Sequence, residues 1–465
     1  MPALLQSART DPEVTLLRKN DTLQTSAANS HSNATAPVIT RAAWLALSAE
    51  DQPQQYGVLG SLAFNSIKSE SLNTDTVGQR VYINTNTPSS IVVCGVQGSG
   101  KSHTVSTILE SVVRPNIRAI GRLDAPLLCV VLHRGEGGPA SRPSEAAFIS
   151  VSDDPDIPSI PVRVLVSQSF LTTMRKAYAT VGSNVTVEPL LFAESDLDAE
   201  AFLSLMAVGS SDGAPLYMQV VLCILREMGE SFSYAAFTRE LSAAKKKLTF
   251  NPAQVASLEQ RLSLLTPFLA GSGKFKTKRP SGINFVPGEI TIVDLSDPFI
   301  DSASACSLFN IVTRLFVKTD VGSAGKILLV DEAHKYLSST NSGLTKTLLM
   351  INREQRHLGI RMIISTQEPT VIPDALLDLC PVAILHRFSS PTWWDHIKKH
   401  TPAHLSEETF DKIVQLQTGE AIVLAPSGLR TDADESVVPF GRDYFVVHVR
   451  QRVSKDGGAS ILCVE

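Results

Sequence analysis

The stretch from Ile91 to Thr104 reads I-V-V-C-G-V-Q-G-S-G-K-S-H-T, and it limits what this chain can fold into more than any other segment. Gly95, Gly100, Lys101 and Ser102 satisfy the phosphate-loop spacing G-x-x-x-x-G-K-[ST]. A short apolar strand, Ile91 to Cys94, delivers the chain to a loop whose glycines take backbone angles that a Cβ would forbid. The loop amides then turn inward around a β-phosphate, and the helix that follows aims its positive end at the same anion. On this reading Gly95, Val96, Gln97, Gly98, Ser99, Gly100, Lys101, Ser102 and His103 cradle the phosphates of ATP. Lys101 reaches the β- and γ-phosphates, and the Ser102 hydroxyl is a ligand for Mg²⁺. Thr104 to Val113 has helical apolar spacing, and Pro115 ends it.

Around this loop the chain alternates apolar strands with helices. Strand-length apolar runs fall at Leu127 to Leu132, Val162 to Val166, Glu289 to Leu295, Lys326 to Glu332, Ile360 to Gln367 and Val382 to Phe388. A weaker run covers Val185 to Phe192, and Ala421 to Leu424 and Tyr444 to Val449 complete the set. Helical patterns cover Ala303 to Val317 and Gly343 to His357. Continuously apolar strands alternating with helices predict an α/β fold with a mostly parallel central sheet and helices on both faces.

The spacing predicts a disordered leader over residues 1–50 and a short β lead-in over 51–90, with strands at Tyr56 to Phe64 and Arg80 to Asn84. The core then runs in two parts, 91–194 and 286–430. Between them, 195–285 reads as a helical insertion, with helices at Asp196 to Val208, Leu216 to Met228, Phe237 to Ala244 and Ala253 to Leu269. Residues 431–465 hold a closing strand and a tail.

Two further motifs carry chemistry. Ile327 to Val330 is apolar and ends in the paired carboxylates Asp331 and Glu332. In a parallel sheet the carboxyl end of a strand lies at the ligand crevice. Asp331 is therefore expected beside Ser102 as a metal ligand, and Glu332 is expected to polarise the attacking water. Thr366 and Gln367 end the next strand, where a side-chain amide can bridge the γ-phosphate and that water.

The ordered set G-V-Q-G-S-G-K-S, I-L-L-V-D-E-A-H and I-S-T-Q-E-P resembles the HerA–FtsK superfamily of P-loop ATPases, and its HerA branch most. The resemblance covers roughly residues 85 to 450. It implies a RecA-like core with an additional strand, and a hexameric ring that hydrolyses ATP between subunits while pulling DNA through its pore. It also implies an arginine donated by the neighbouring subunit. Arg356 matches that place best, with Arg353 and Arg361 competing. Val447 to Arg452 resembles the family's closing strand and implies subunit contact. The N-terminal barrel common in the HerA branch is not evident, because too few strands precede residue 90. His133 and Arg134 end a strand without an assignable family role.

A net charge of −4 means that any contact with a polyanion must come from a local patch. Lys274, Lys276, Lys278 and Arg279, with Phe275 among them, form the densest one, in a loop that is either a DNA-gripping pore loop or solvated surface. Lys245 to Lys247 reads as a solvated helix end, and Trp393 and Trp394 read as core more readily than as base-stacking residues. His334 and the other histidines show no metal-ligand spacing. The six cysteines are scattered without a C-x-x-C pair, which fits a reduced, intracellular compartment, cytoplasm or nucleus. No apolar run is long enough to cross a bilayer, and no membrane contact is expected. A nuclease or adaptor partner cannot be named from sequence. The rival reading is an ATP-gated assembly or switch module that binds the same nucleotide without threading a polymer.

Overall fold

The computed structural model describes residues 33–63, 79–138, 141–198, 216–229, 233–247, 266–269, 282–322, 324–337, 342–401 and 403–458, with a few positions in 252–259. In chain order the elements that build the sheet begin with β1 (Val38–Thr40), α1 (Arg41–Ala46), β2 (Tyr56–Leu62), β3 (Arg80–Asn84), β4 (Ser90–Cys94) and α2 (Lys101–Val113). Then come β5 (Gly121–Arg122), β6 (Leu128–His133), β7 (Val162–Val166), α3 (Leu171–Tyr178), β8 (Val185–Pro189), and the inserted helices α4 (Leu216–Met228) and α5 (Tyr234–Lys247). The second half holds β9 (Ile290–Asp294), α6 (Ser302–Lys318), β10 (Lys326–Val330), α7 (Gly343–Leu358), β11 (Ile360–Thr366), α8 (Asp374–Asp378) and β12 (Val382–Leu385). It closes with α9 (Pro391–His400), α10 (Glu407–Gln415), β13 (Glu420–Leu424), β14 (Leu429–Thr431), β15 (Val437–Pro439) and β16 (Tyr444–Val449).

The strands form one sheet in the order β15-β14-β1-β3-β2-β16-β13-β12-β4-β11-β10-β6-β9-β7-β8, with β5 paired to β2. From β12 to β8 every neighbouring pair is parallel. Beyond β12 the ladder turns antiparallel through β13, β16, β2, β3 and β1. The parallel block has the additional-strand order of a RecA-like core: β11 lies between the phosphate-loop strand β4 and the acidic strand β10.

Side-chain alternation explains why that block is covered twice. Val92, Cys94, Leu328, Val330, Met362 and Ile364 pack into one cluster with α6, α7 and α9, through residues such as Phe309, Leu348 and Trp394. Their chain neighbours Ile91, Val93, Ile327, Leu329 and Ile363 pack on the opposite face against Val105, Ile108, Leu109 and Val112 of α2. Each such side chain stabilises the fold by about 1.5–3 kcal/mol, so a register slip, which would exchange the faces, is strongly opposed. The insertion joins the first face: Val221, Ile224 and Leu225 of α4 and Phe237 and Leu241 of α5 sit with Leu190 and Phe192. Trp394 stacks on Phe410 and is core, as its helical spacing predicts.

Several expectations need correction. Residues 33–50 fall in the expected leader, yet β1 and α1 are ordered there, with Trp44 packed on Tyr56 and Tyr82. The short run Val38–Thr40 is a strand only because β3 and β14 supply partners on both sides. The closing strand β16 pairs with β13 and β2 of its own chain, so both of its edges are used within this sheet and a neighbour cannot add to it as a strand. The histidine expectation fails as well, because α9 places His396 and His400 one helical turn apart. Of the expected insertion helices, residues 199–208 and most of 253–265 lie outside the described residues.

Candidate nucleotide-binding site

β4 ends at Cys94, and the chain enters the loop through Gly95, where a Cβ would meet Ser99 Oγ at 2.6 Å and His386 Cβ at 2.7 Å. Gly98 and Gly100 adopt φ of 75° and 101°, the left-handed region that favours glycine. The loop is braced from the segment after β12 and from within: the Val96 N–H donates to the Arg387 carbonyl at 3.1 Å, and the Ser99 hydroxyl donates to the Val96 carbonyl at 2.8 Å. Gln97 and Gly98 stay exposed at the tip. The loop opens directly into α2, whose first residue is Lys101.

Parallel pairing delivers the other groups to the same edge. Thr366 is in register with Cys94, and Val330 with Ile364, so β4, β11 and β10 all release their chains beside one another. Lys101 is 4% exposed, and its Nζ lies 3.7 Å from Glu332 Oε1. The Gln367 amide Nε2 donates to both Glu332 carboxylate oxygens, at 3.0 and 2.8 Å. His334 Nε2 stands 3.5 Å from Glu332 Oε2. Glu332 itself has φ 50° and ψ 40°, a left-handed conformation costly for a non-glycine residue. The strain sits at the carboxylate that the motif assigns to the chemistry.

His133 is the residue sequence reasoning left unassigned. It ends β6, the neighbour of β10, and its Nδ1 lies 3.0 Å from Asp331 Oδ2. Burial would push the Asp331 carboxyl up, but the hydrogen bond and charge of His133, with the charge of Lys101, override it and hold it below the ordinary carboxylate range. Burial likewise pulls the His133 imidazole down, and Asp331, Asp294 and Glu332 more than reverse this, leaving it above its ordinary value. The available signal was a polar residue ending an otherwise apolar strand at the crevice edge. Its companion Arg134 is structural, donating to the Ile300 carbonyl at 2.8 Å and the Ser302 hydroxyl at 2.9 Å.

Two more supports were not foreseen. His386 follows β12, is fully buried, and lies 2.9 Å from Thr104 Oγ1 through Nε2, fastening the first turn of α2. Burial drops its pKa to about 4, so it is a neutral ring at physiological pH. On the other side, the segment after β16 straps α2: His103 Nε2 lies 2.8 Å from the Arg450 carbonyl, and Arg450 Nη1 lies 2.7 Å from buried Glu110 Oε2. Arg452 pairs with Glu145 at 2.5 Å. Both arginines are therefore committed within this chain.

Lys101, Glu332 and Gln367 come together as the motifs predict, with Asp331 beside them. Ser102 and Asp331 offer hydroxyl and carboxylate oxygens, the hard donors that Mg²⁺ takes, and Asp331 is held ionised, so the donor set fits that ion. The arginines do not join them. α7 crosses from β10 back to the start of β11, so its last turn lies at the amino edge of the sheet, opposite the phosphate loop. Arg353 and Arg356 are exposed there and cannot serve their own subunit's nucleotide. Arg361 is excluded as a donor to a neighbour, because its buried guanidinium bonds the carbonyls of Thr85, Asn86 and Gly359. Lys274, Lys276, Lys278 and Arg279 lie outside the described residues. Among the described residues, no helix is long and apolar enough to cross a membrane.

Strand order, phosphate loop and crevice together define a P-loop NTPase fold of the RecA-like, additional-strand type. Among solved structures, the chain is similar to VirB4 of Thermoanaerobacter pseudethanolicus, with 13% identity, 85% of this chain and 96% of that one covered, and a TM-score of 0.48. The plasmid coupling protein TrwB aligns at 11% identity over 88% of this chain and 97% of that one, with a TM-score of 0.48. B204, the DNA-packaging ATPase of Sulfolobus turreted icosahedral virus, aligns at 12% identity over 76% and 97%, with a TM-score of 0.32. No family model and no curated protein matches the chain.

Proposed function

We propose that this chain hydrolyses ATP with Mg²⁺ and works as an oligomeric motor that moves DNA. The observation that carries the reading is the meeting of Lys101 and Gln367 on Glu332 at the carboxyl edge of the sheet, at 3.7 and 2.8 Å. A lysine, a carboxylate and an amide so placed serve a γ-phosphate and an attacking water. The loop amides and Lys101 hold the phosphates and draw off their charge. Glu332 takes a proton from water as its oxygen attacks the γ-phosphorus and the bond to the bridging oxygen breaks. Gln367 orients that water. Bound Mg²⁺, with Ser102 and Asp331 as its protein ligands, would supply charge neutralisation between the β- and γ-phosphates.

Arg356 is assigned to the active site of a neighbouring subunit, since it faces away from its own loop and is exposed. That geometry favours a homo-oligomer, a hexameric ring by resemblance. Lys274, Lys276, Lys278 and Arg279 are the candidate DNA contacts.

The test measures ATP turnover with and without DNA, alongside mass in solution in ATP and Mg²⁺. The reading expects DNA to raise turnover and the chain to assemble. Neutralising Lys274, Lys276, Lys278 and Arg279 should abolish the stimulation and spare basal hydrolysis. Assembly and hydrolysis that ignore DNA would leave the switch module as the function, and no hydrolysis at all would remove the ATPase.

A further inference from the structure

The segments leaving β11 and β12 meet at a side-chain cluster that includes none of the phosphate-loop or acidic-strand residues. His396 and His400 stand four residues apart on α9 and project from one face of it. Asp374 opens α8, with Oδ1 3.9 Å from His396 Nε2 and Oδ2 3.5 Å from His400 Nε2. The three ligand atoms lie within 4.8 Å of one another.

Both Nε2 atoms are shut off from solvent, yet neither has a hydrogen-bond partner. The His400 side chain is only 8% exposed. A buried ring nitrogen without a partner is uncommon, and two aimed at one carboxylate ask for a shared ligand. The opposite nitrogen explains the orientation of one ring. His400 Nδ1 lies 2.7 Å from Asp378 Oδ1, which turns its Nε2 toward Asp374. A ring that donates through Nδ1 presents a lone pair on Nε2, the arrangement found where a carboxylate or carbonyl orients a metal-ligating histidine.

We propose that Asp374, His396 and His400 bind a first-row divalent cation of the zinc class, with Asp378 orienting the His400 ring. Zinc bonds of about 2.0–2.2 Å put tetrahedral ligand atoms ~3.3–3.6 Å apart; the Asp374 contacts at 3.5 and 3.9 Å are near that spacing, and all three ligand atoms lie within 4.8 Å before an ion draws them in. Asp374 is half-exposed, so the fourth position opens to water. Two imidazoles and one carboxylate suit zinc, cobalt or nickel and do not suit Mg²⁺, which prefers an all-oxygen shell. The site is independent of nucleotide. Its place gives it a consequence: β11 and β12 flank the phosphate-loop strand β4, so an ion here ties the segment after Gln367 to the helix after His386.

The experiment uses the full chain in excess Mg²⁺, titrated with Zn²⁺ by calorimetry and then with Co²⁺ by absorption. One Zn²⁺ per chain is expected, together with the intense visible bands of tetrahedral Co²⁺. The double variant His396→Gln/His400→Gln should lose both signals. Asp374→Asn, a change at a surface carboxylate that leaves the fold intact, should weaken Zn²⁺ binding strongly, and Asp378→Asn should weaken it about 10–100-fold. Three results would overturn the site: no Zn²⁺ bound at excess, unchanged stoichiometry in the double variant, or a sulfur-to-cobalt charge-transfer band that moves the ion to a cysteine.

Discussion

Gln367 holds Glu332 by both carboxylate oxygens through a single amide nitrogen, at 2.8 and 3.0 Å. The amide proposed to orient the attacking water thus occupies the carboxylate proposed to activate it, while Lys101 waits 3.7 Å away. On the proposed mechanism, bound nucleotide exchanges this contact for one to water and γ-phosphate.

Gln367→Ala should lower kcat for ATP at least about tenfold and leave nucleotide affinity within about threefold, because the amide acts in the transition state and not on the bound triphosphate. Steady-state turnover with a separate nucleotide-binding titration checks this. Unchanged or faster turnover would reduce Gln367 to a strand-end residue.

Glu332→Gln should cost about 10²–10⁴-fold in turnover, the usual worth of a positioned general base. Nucleotide should bind as well as before or tighter, since one negative charge fewer faces the γ-phosphate. Undiminished hydrolysis would take Glu332 out of the base role.

His386 supplies a pH dependence. Its folded pKa of about 4 lies below the ordinary imidazole value of about 6.5. The unfolded chain therefore takes up a proton first as pH falls, and stability declines from about 6.5 down to about 4, by an order of about 3 kcal/mol. His386→Gln should be less stable than wild type at neutral pH and should lack this decline. Urea midpoints measured across that range decide it, and parallel slopes in the two proteins would refute it.

Glu110 is wholly buried in α2 and receives Arg450 at 2.7 Å, the Ser454 N–H at 2.8 Å and the Ser454 hydroxyl at 2.6 Å. Glu110→Ala leaves a buried guanidinium uncompensated and should cost about 3–5 kcal/mol. Equilibrium unfolding measures the loss, and a cost under about 1 kcal/mol would mean that the strap after β16 does not anchor the phosphate-loop helix.

Arg356→Ala should bind nucleotide yet fail to hydrolyse it. In mixed assemblies, a subunit carrying the change should silence only the intact site it faces. Activity that simply tracks the fraction of unaltered chains would disprove action across the interface.

Much of the core was legible in the residues because local rules govern it. Apolar runs such as Leu328 to Val330 and Met362 to Ile364 declare strands buried on both faces, and G-V-Q-G-S-G-K-S declares a loop whose backbone angles permit little else. Strand ends carrying Asp331, Glu332 and Gln367 follow from the same patterns. The remaining features depend on residues far apart in sequence. Val38–Thr40 is too short to declare itself and becomes a strand only between β3 and β14. His133 meets Asp331 only because β6 is laid beside β10, and His386 meets Thr104 only because β12 is laid beside β4. Arg361 competes with the better-matched Arg356 in sequence, and burial against Thr85 and Asn86 removes it. Periodicity and turn chemistry report what a segment does with its own neighbours, whereas which side chain stands opposite which is set by strand order, and that is decided when the whole sheet closes.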